Sequence, residues 1–141
     1  MDTYKDMKNE FSRNIRIDDS ILNKKFEIKA TTEECDALAE RFKIHKIHNL
    51  KATYMVSQKN DIYGAYLLSM HLISKVSKIS IESNSDEIDI DEEMDIVLLD
   101  EDAARNNHEQ LDEYDIEILE QDMNVDVGEI AAQYLSLCIF M

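Results

Sequence analysis

The chain has 141 residues, with 31 Asp and Glu against 15 Lys and Arg, and a formal net charge of −16. A hydrophobic content of 44% argues against a wholly disordered chain and favours one folded domain, residues 1–141. No apolar run suits a membrane span or a leader, and Cys35 and Cys138 belong to no Cys/His cluster. We therefore expect a cytoplasmic protein without membrane contact.

The charge is divided unevenly along the chain. From Glu82 onward there are 20 acidic residues and 1 basic residue, whereas the first 81 residues carry 11 acidic and 14 basic ones. Such an acidic half predicts a cationic partner. Two acidic segments, residues 83–93 and 100–115, are polar enough that we expect them to be partly mobile.

Two short strands and a helix are predicted in the first part of the chain. Residues of high β propensity occupy Phe11–Ile17 and Lys25–Ala30. Thr31 stands three residues before Glu34, which is the spacing of a capping box, and apolar residues at helical spacing follow. We expect a helix over about Thr32–Phe42.

The middle of the chain predicts consecutive strands. Apolar and polar residues alternate over Leu50–Val56, as in a half-buried strand, whereas Ile62–Ile73 is apolar on both phases and is predicted to be a central strand covered on both faces. Further strands are predicted over Lys78–Glu82 and Ile88–Leu98. Short turns between them favour an antiparallel meander.

The last part of the chain predicts an acidic loop, a strand and a helix. Asp100–Glu113 has no clear period, and Tyr114–Leu119 has the pattern of a short strand. Asp126 and Glu129 have the spacing of a second capping box before an apolar helical face. The fold class predicted is α+β, a single domain with an antiparallel β-sheet, open or barrel-like, and two amphipathic helices.

Four stretches of the sequence together carry a family resemblance. They are Glu10-Phe11-Ser12-Arg13 with Ile17-Asp18, residues 30–42 with Ala30-Thr31-Thr32-Glu33-Glu34, Asn49-Leu50-Lys51-Ala52, and residues 125–137, which open with Val125-Asp126-Val127-Gly128-Glu129. In this order and spacing they resemble the YceD family, which comprises bacterial proteins with plastid relatives. The resemblance extends from about residue 10 to residue 137 and implies a role in the accumulation of large-subunit ribosomal RNA.

The sequence departs from the family pattern in two places. Many members carry a cysteine in the region of residues 72–79, where this chain has Lys75 and Val76 and no thiol, so no role of that cysteine is transferred. Members also usually continue into a proline-containing and often basic tail, whereas this sequence ends at Met141. One interpretation is a truncation that weakens contact with RNA or the ribosome.

Two sets of charged residues are candidate binding surfaces. A solvated acidic face for docking a partner is favoured over a cation site, because the acidic set lacks a D-x-D-x-D-G loop. The docking set is Asp86, Glu87, Asp89, Asp91, Glu92, Glu93, Asp112, Glu113 and Asp115, and the candidate RNA-contact set is Arg13, Arg16, Lys24, Lys25 and Lys29. The residues expected to hold the helix starts are Thr31, Glu34, Asp126, Gly128 and Glu129.

The expected function is a non-enzymatic factor in ribosome biogenesis. Gly-rich phosphate loops and nucleophile motifs are absent from the sequence, and we expect neither a metal nor another cofactor. The expected partner is a basic ribosomal protein or a large-subunit precursor. The alternatives are direct binding of ribosomal RNA through the basic residues, and mimicry of a nucleic acid by the acidic ones. The oligomeric state and the partner's identity are left open.

Overall fold

The structure is a computed structural model that describes residues 10–60, 62, 64–78, 87–107 and 115–140. A short 3-10 turn, Gln121–Met123, precedes the last strand. The other elements, in chain order, are β1 (Asn14–Arg16), β2 (Lys25–Lys29), α1 (Thr32–Phe42), β3 (Lys46–Gln58), β4 (Ala65–Ser77), β5 (Glu87–Leu99), α2 (Glu101–Asn107), β6 (Asp115–Ile118), β7 (Asn124–Asp126) and α3 (Val127–Phe140).

The strands form a five-stranded sheet in the order β2-β3-β4-β5-β6 and a separate pair, β1 with β7. All neighbours are antiparallel except β5 and β6, which are parallel because the connection that contains α2 returns the chain along the sheet. The α+β prediction and the antiparallel meander are confirmed. In the part of the chain that the structure describes, the sheet is open and not barrel-like.

One face of the sheet carries the main core. Every second residue of β3, β4 and β5 points toward α1 and α3, as the period of a strand requires. The buried residues on this face include Leu50, Ala52, Tyr54 and Val56 of β3, Leu68, Met70 and Leu72 of β4, and Ile90, Ile96 and Leu98 of β5. Helix α1 contributes Cys35 and Leu38, and α3 contributes Val127, Ile130, Ala131, Leu135 and Ile139.

Among the residues that the structure describes, the opposite face is covered at one end only. There, α2 packs on a small second cluster, which comprises Ile62, Ala65, Val97, Leu99 and Ala103. Further along β4, the same face carries Ser69, His71, Ile73 and Lys75, which are half-buried or exposed. The prediction that this central strand is covered on both faces was therefore wrong beyond its first residues. We call the uncovered part of this face the open face.

Several other predictions need correction. The stretch Asp100–Glu113, predicted to be a loop, contains α2, so the described protein has three helices and not two. Part of the segment predicted to be mobile, residues 87–93, lies in the regular strand β5. Of the predicted first strand, only Asn14–Arg16 is paired as a β-strand. It pairs with β7, outside the main sheet. The strand predicted over Lys78–Glu82 lies almost entirely outside the described residues.

Candidate functional site

A row of carboxylates on β5 forms the acidic edge of the open face. Cross-strand pairing places Asp89 opposite Lys75, Asp91 opposite Ile73, and Asp95 opposite Ser69. Glu93 is the fourth member of this row, because side chains two residues apart on a strand share a face. Asp95 was not in the predicted docking set, although the same alternation identifies it.

The carboxylates of this row are largely exposed to solvent. The side chains of Asp89 and Asp91 are 83% and 72% exposed. Asp91 Oδ1 lies 2.5 Å from Nε2 of His71, and Asp89 Oδ1 lies 3.9 Å from Nζ of Lys75. Exposed pairs of this kind contribute about 1 kcal/mol or less to stability. The row is negative because its four carboxylates outnumber the neighbouring Lys75 and His71.

The rest of the predicted docking set is divided. Glu87, opposite Ser77, lies on the same face as the row at the start of β5, with its carboxylate 3.8 Å from Nε2 of His48. Glu92 points to the other side of the sheet, toward Cys138 of α3, where burial, followed by the charge of Glu92, raises the pKa of the thiol. Asp115 begins β6 and lies near the Tyr134 hydroxyl, whose pKa is raised by burial and by this carboxylate. Asp86, Asp112 and Glu113 lie outside the described residues.

The open face is basic on its other side. One cross-strand row runs from Lys25 of β2 through β3 and β4 to Asp95, and another runs from Lys29 through Lys51 to Asp91. A groove of about 370 Å³ crosses the first row, with Lys25 at one end and Glu93 and Asp95 at the other. The charge of the open face therefore changes from positive at β2 to negative at β5, across four strands.

The predicted RNA-contact residues do not form one surface. Lys25 and Lys29 lie on the same face of β2, with Glu27 between them. Lys24 precedes that strand, and Arg16 belongs to β1 in the other sheet. The structure therefore brings together two of the five residues and adds Lys51, which lies directly opposite Lys29.

The guanidinium of Arg13 makes its contacts within the protein. It donates to both carboxylate oxygens of Glu34, each at 2.7 Å, and to the backbone oxygens of Lys29 and Ser12. It also lies over the Phe11 ring, 4.7 Å from the centroid. These contacts use most of the donors that a phosphate would need, so the structure gives Arg13 a structural role, and its contact with RNA is still a prediction.

The two helix starts predicted from the sequence are linked to this arginine. In α1, the Glu34 N–H donates to Oγ1 of Thr31 and the Thr31 N–H donates to Glu34, so both bonds of the predicted capping box are present. At α3, the Asp126 carboxylate accepts from the backbone N–H groups of Glu129 and Arg13 and from the Ser12 hydroxyl. The cap of α3 therefore also holds residues 12–13.

Gly128 and Glu129 complete this network. A Cβ on Gly128 would lie 2.4 Å from the Phe11 carbonyl oxygen, so the segment before β1 crosses directly over the first turn of α3. The Glu129 carboxylate accepts two hydrogen bonds of 2.9 Å from Arg41 of α1, and Glu10 binds the same guanidinium at 3.2 Å. We call residues 10–13, Thr31, Glu34, Arg41, Asp126, Gly128 and Glu129 the polar clasp. It joins three of the four stretches that carry the family resemblance.

Comparison with known proteins gave no match to a protein-family model, a curated protein or a solved structure. The resemblance to the YceD family is therefore still a prediction. Among the described residues, no group of three His, Cys, Asp or Glu side chains is arranged to hold a metal ion. No described helix combines the length and the apolar character that a membrane span requires.

Proposed function

We propose that this chain is a non-enzymatic ribosome biogenesis factor that supports accumulation of large-subunit ribosomal RNA. In this proposal it docks a basic ribosomal protein or a large-subunit precursor particle through the carboxylates of β5. The ribosomal role comes from the resemblance of residues 10–137 to the YceD family. The docking mechanism comes from the charges of the chain itself.

The observation that carries the docking mechanism is the exposed carboxylate row Asp89, Asp91, Glu93 and Asp95. These four side chains lie on one face of one strand, and Lys75 and His71 are the neighbouring basic side chains on β4. A surface with such an excess of one sign attracts a partner of opposite sign and accelerates its association. A basic ribosomal protein has the charge that this surface would bind.

The proposal is tested by gradient fractionation of cell lysates with and without the gene for this chain. Loss of the gene should reduce mature large subunits and increase their precursors, and the protein should migrate with those precursors. A triple variant, Asp89→Asn, Asp91→Asn and Glu93→Gln, should not restore the profile. A matched variant that removes three exposed carboxylates of α1, Glu33→Gln, Asp36→Asn and Glu40→Gln, should restore it. An unchanged subunit profile without the gene would refute the proposal.

A second candidate function is direct contact with RNA on the basic side of the open face. Lys29 and Lys51 are cross-strand partners, and the Glu27 carboxylate lies 3.7 Å from Nζ of Lys29. Like charges placed opposite each other favour a nearby anion, and Glu27 offsets only one of the two lysines. Together with Lys46 and His48 these two lysines line a groove of about 640 Å³ beside the first turn of α1. Phosphate groups of RNA have the charge that this groove favours.

The two functions are separated by charge reversal on the basic side. The variant Lys25→Glu, Lys29→Glu and Lys51→Glu should lose RNA in a filter-binding assay and keep its protein partner. RNA retention equal to that of the wild type would exclude this contact.

A further inference from the structure

Strand β5 has one edge that is only partly paired. It pairs with β4 over its whole length, Glu87–Leu99, whereas β6 pairs only with Ile96–Leu99. Among the described residues, no strand lies against the outer edge of residues 87–95. The backbone N–H and C=O groups on that edge are of the kind to which an extended peptide adds as a further strand.

The two sides of this edge differ in chemistry. Toward the open face, the side chains are the carboxylates of Asp89, Asp91, Glu93 and Asp95. Toward the helices, Ile88 and Met94 are half-buried and pack against the core. Glu92 is exposed on this same side, before Met94, so an added strand would meet carboxylates on one side and an apolar surface interrupted by Glu92 on the other.

Helix α3 extends the apolar side. Tyr134 of this helix lies near Asp115 at the start of β6, and Cys138 lies near Glu92 of β5, so the helix passes beside this edge. Leu137 follows Tyr134 by one turn and is 55% exposed. A single exposed leucine is common on protein surfaces, so Leu137 adds apolar area beside the edge without by itself marking a binding site.

We propose that the basic partner binds by adding an extended segment of about nine residues to β5 as a new strand of the sheet. Its alternate residues are basic and face the carboxylate row, and the residues between them are apolar and face Ile88, Met94 and Leu137. This inference rests on the proposed function and specifies how docking occurs. Successive carboxylates of the row lie about 6.8 Å apart, which is the spacing of alternate side chains on the added strand.

Charge decides which strand can occupy the edge. Residues 108–114, which lead into β6, contain Glu109, Asp112 and Glu113 and no Lys or Arg. A second copy of the chain would bring another carboxylate row to the same edge. Like charges placed opposite each other destabilise a strand pair, so both occupants are disfavoured and a basic strand is favoured.

The test uses two synthetic peptides of nine residues that alternate lysine and valine. In the second peptide, the alternate amides that would face β5 are N-methylated, which removes the hydrogen-bond donors and keeps the charge. The first peptide should slow exchange of the β5 amides that point away from β4 at least tenfold, as measured by NMR. The N-methylated peptide should bind at least tenfold more weakly.

Protein variants give the matched control. Asp89→Asn with Glu93→Gln should weaken binding of the first peptide at least fivefold, whereas Glu33→Gln with Asp36→Asn on α1 should leave it unchanged. Equal weakening by both pairs would contradict a site on β5.

Three further results would overturn the inference. Equal affinity of the two peptides would mean docking by charge without strand addition, and the proposed function would survive. Slow exchange of all amides of residues 87–95 in the free protein would mean that the edge is already covered. If that protection depends on the protein concentration, a second copy of the chain occupies the edge. If it does not, a segment of the same chain occupies it. Absence of binding by either peptide and by basic ribosomal proteins would remove the proposed function as well.

Discussion

Arg13 is the residue at which the segment before β1, α1 and α3 meet. Its backbone N–H donates to Asp126, while its guanidinium donates to Glu34 and to the Lys29 carbonyl. Because donors on both its main chain and its side chain are used, Arg13 fixes the relative positions of these elements. The polar clasp therefore stabilises the fold, and the proposed binding surfaces lie elsewhere.

Gly128 gives the sharpest test of the polar clasp. Replacement by alanine would place a Cβ 2.4 Å from the Phe11 carbonyl oxygen and 2.9 Å from the Arg13 nitrogen, both of which are backbone atoms. We expect Gly128→Ala to lower the free energy of unfolding by about 2–4 kcal/mol, because the crossing segment must shift. Urea denaturation measures this loss. Leu137→Ala, at an exposed position of the same helix, should change it by less than about 0.5 kcal/mol, and equal effects of both variants would contradict the close approach.

The ion pair of Arg13 and Glu34 should depend on pH. The hydrogen bonds from Arg13 hold the pKa of Glu34 below its usual range, so the pair's contribution is present above the pKa of the unfolded chain and is lost as pH falls through the folded value. A double-mutant cycle with Arg13→Ala and Glu34→Gln should give a coupling of about 1 kcal/mol at pH 7 and almost none near pH 2. Coupling that is unchanged at the lower pH would contradict a charge-dependent pair.

The role of Arg13 was not predictable from the sequence. Nothing local distinguishes an arginine that binds RNA from one that binds a glutamate 21 residues away, and the partner of Ser12 lies 114 residues away. The cap at Thr31 and Glu34 was predictable, because both bonds lie within one turn. Signals that are complete within a few residues can be read from the sequence, whereas pairings across the fold cannot.

The same distinction applies at the scale of whole elements. The predicted limits of α1, Thr32–Phe42, coincide with those of the structure because capping and periodicity agree. Helix α2 was missed, since it spans 7 residues and buries only small side chains such as Ala103. Because α2 was not predicted, the apolar residues of β4 that it covers were attributed to coverage along the whole strand, and that prediction was wrong. That error hid the open face.

Strand β6 carries a glutamate in an unfavourable position. Glu117 is half-buried, and burial, followed by the charges of Glu129 and Glu120, raises its pKa. An acid with a raised folded pKa lowers stability once pH rises through its unfolded pKa, because the unfolded chain then releases the proton more readily. Glu117→Gln should therefore raise the melting temperature at pH 7 and have little effect at pH 3.

Thermal unfolding at the two pH values measures this difference. Glu101→Gln, at an exposed position of α2, is the control and should change the melting temperature little at either pH. A stabilisation by Glu117→Gln of the same size at both pH values would contradict destabilisation by the charged form of this carboxyl.

At the scale of the whole molecule, the separation of basic from acidic residues along the sequence corresponds to a separation across one sheet. Lys25 and Lys29 lie at the β2 side of the open face, and Asp89 and Asp91 lie at the β5 side. Alternation in the sequence predicted that the two aspartates share a face. It did not predict that this face would be uncovered, because that depends on where the helices pack. The acidic and basic surfaces are therefore close enough to act on one particle that contains both protein and RNA.

The most direct test of the central claim is the salt dependence of binding between this chain and purified basic large-subunit proteins. Attraction by the exposed carboxylates is screened over about 8 Å at physiological ionic strength, so affinity should fall steeply as salt rises from about 50 to about 300 mM. The triple variant Asp89→Asn, Asp91→Asn and Glu93→Gln should bind about tenfold more weakly at low salt, and the matched α1 variant should bind like the wild type. Affinity that is independent of salt, or equal in the two variants, would contradict docking through β5.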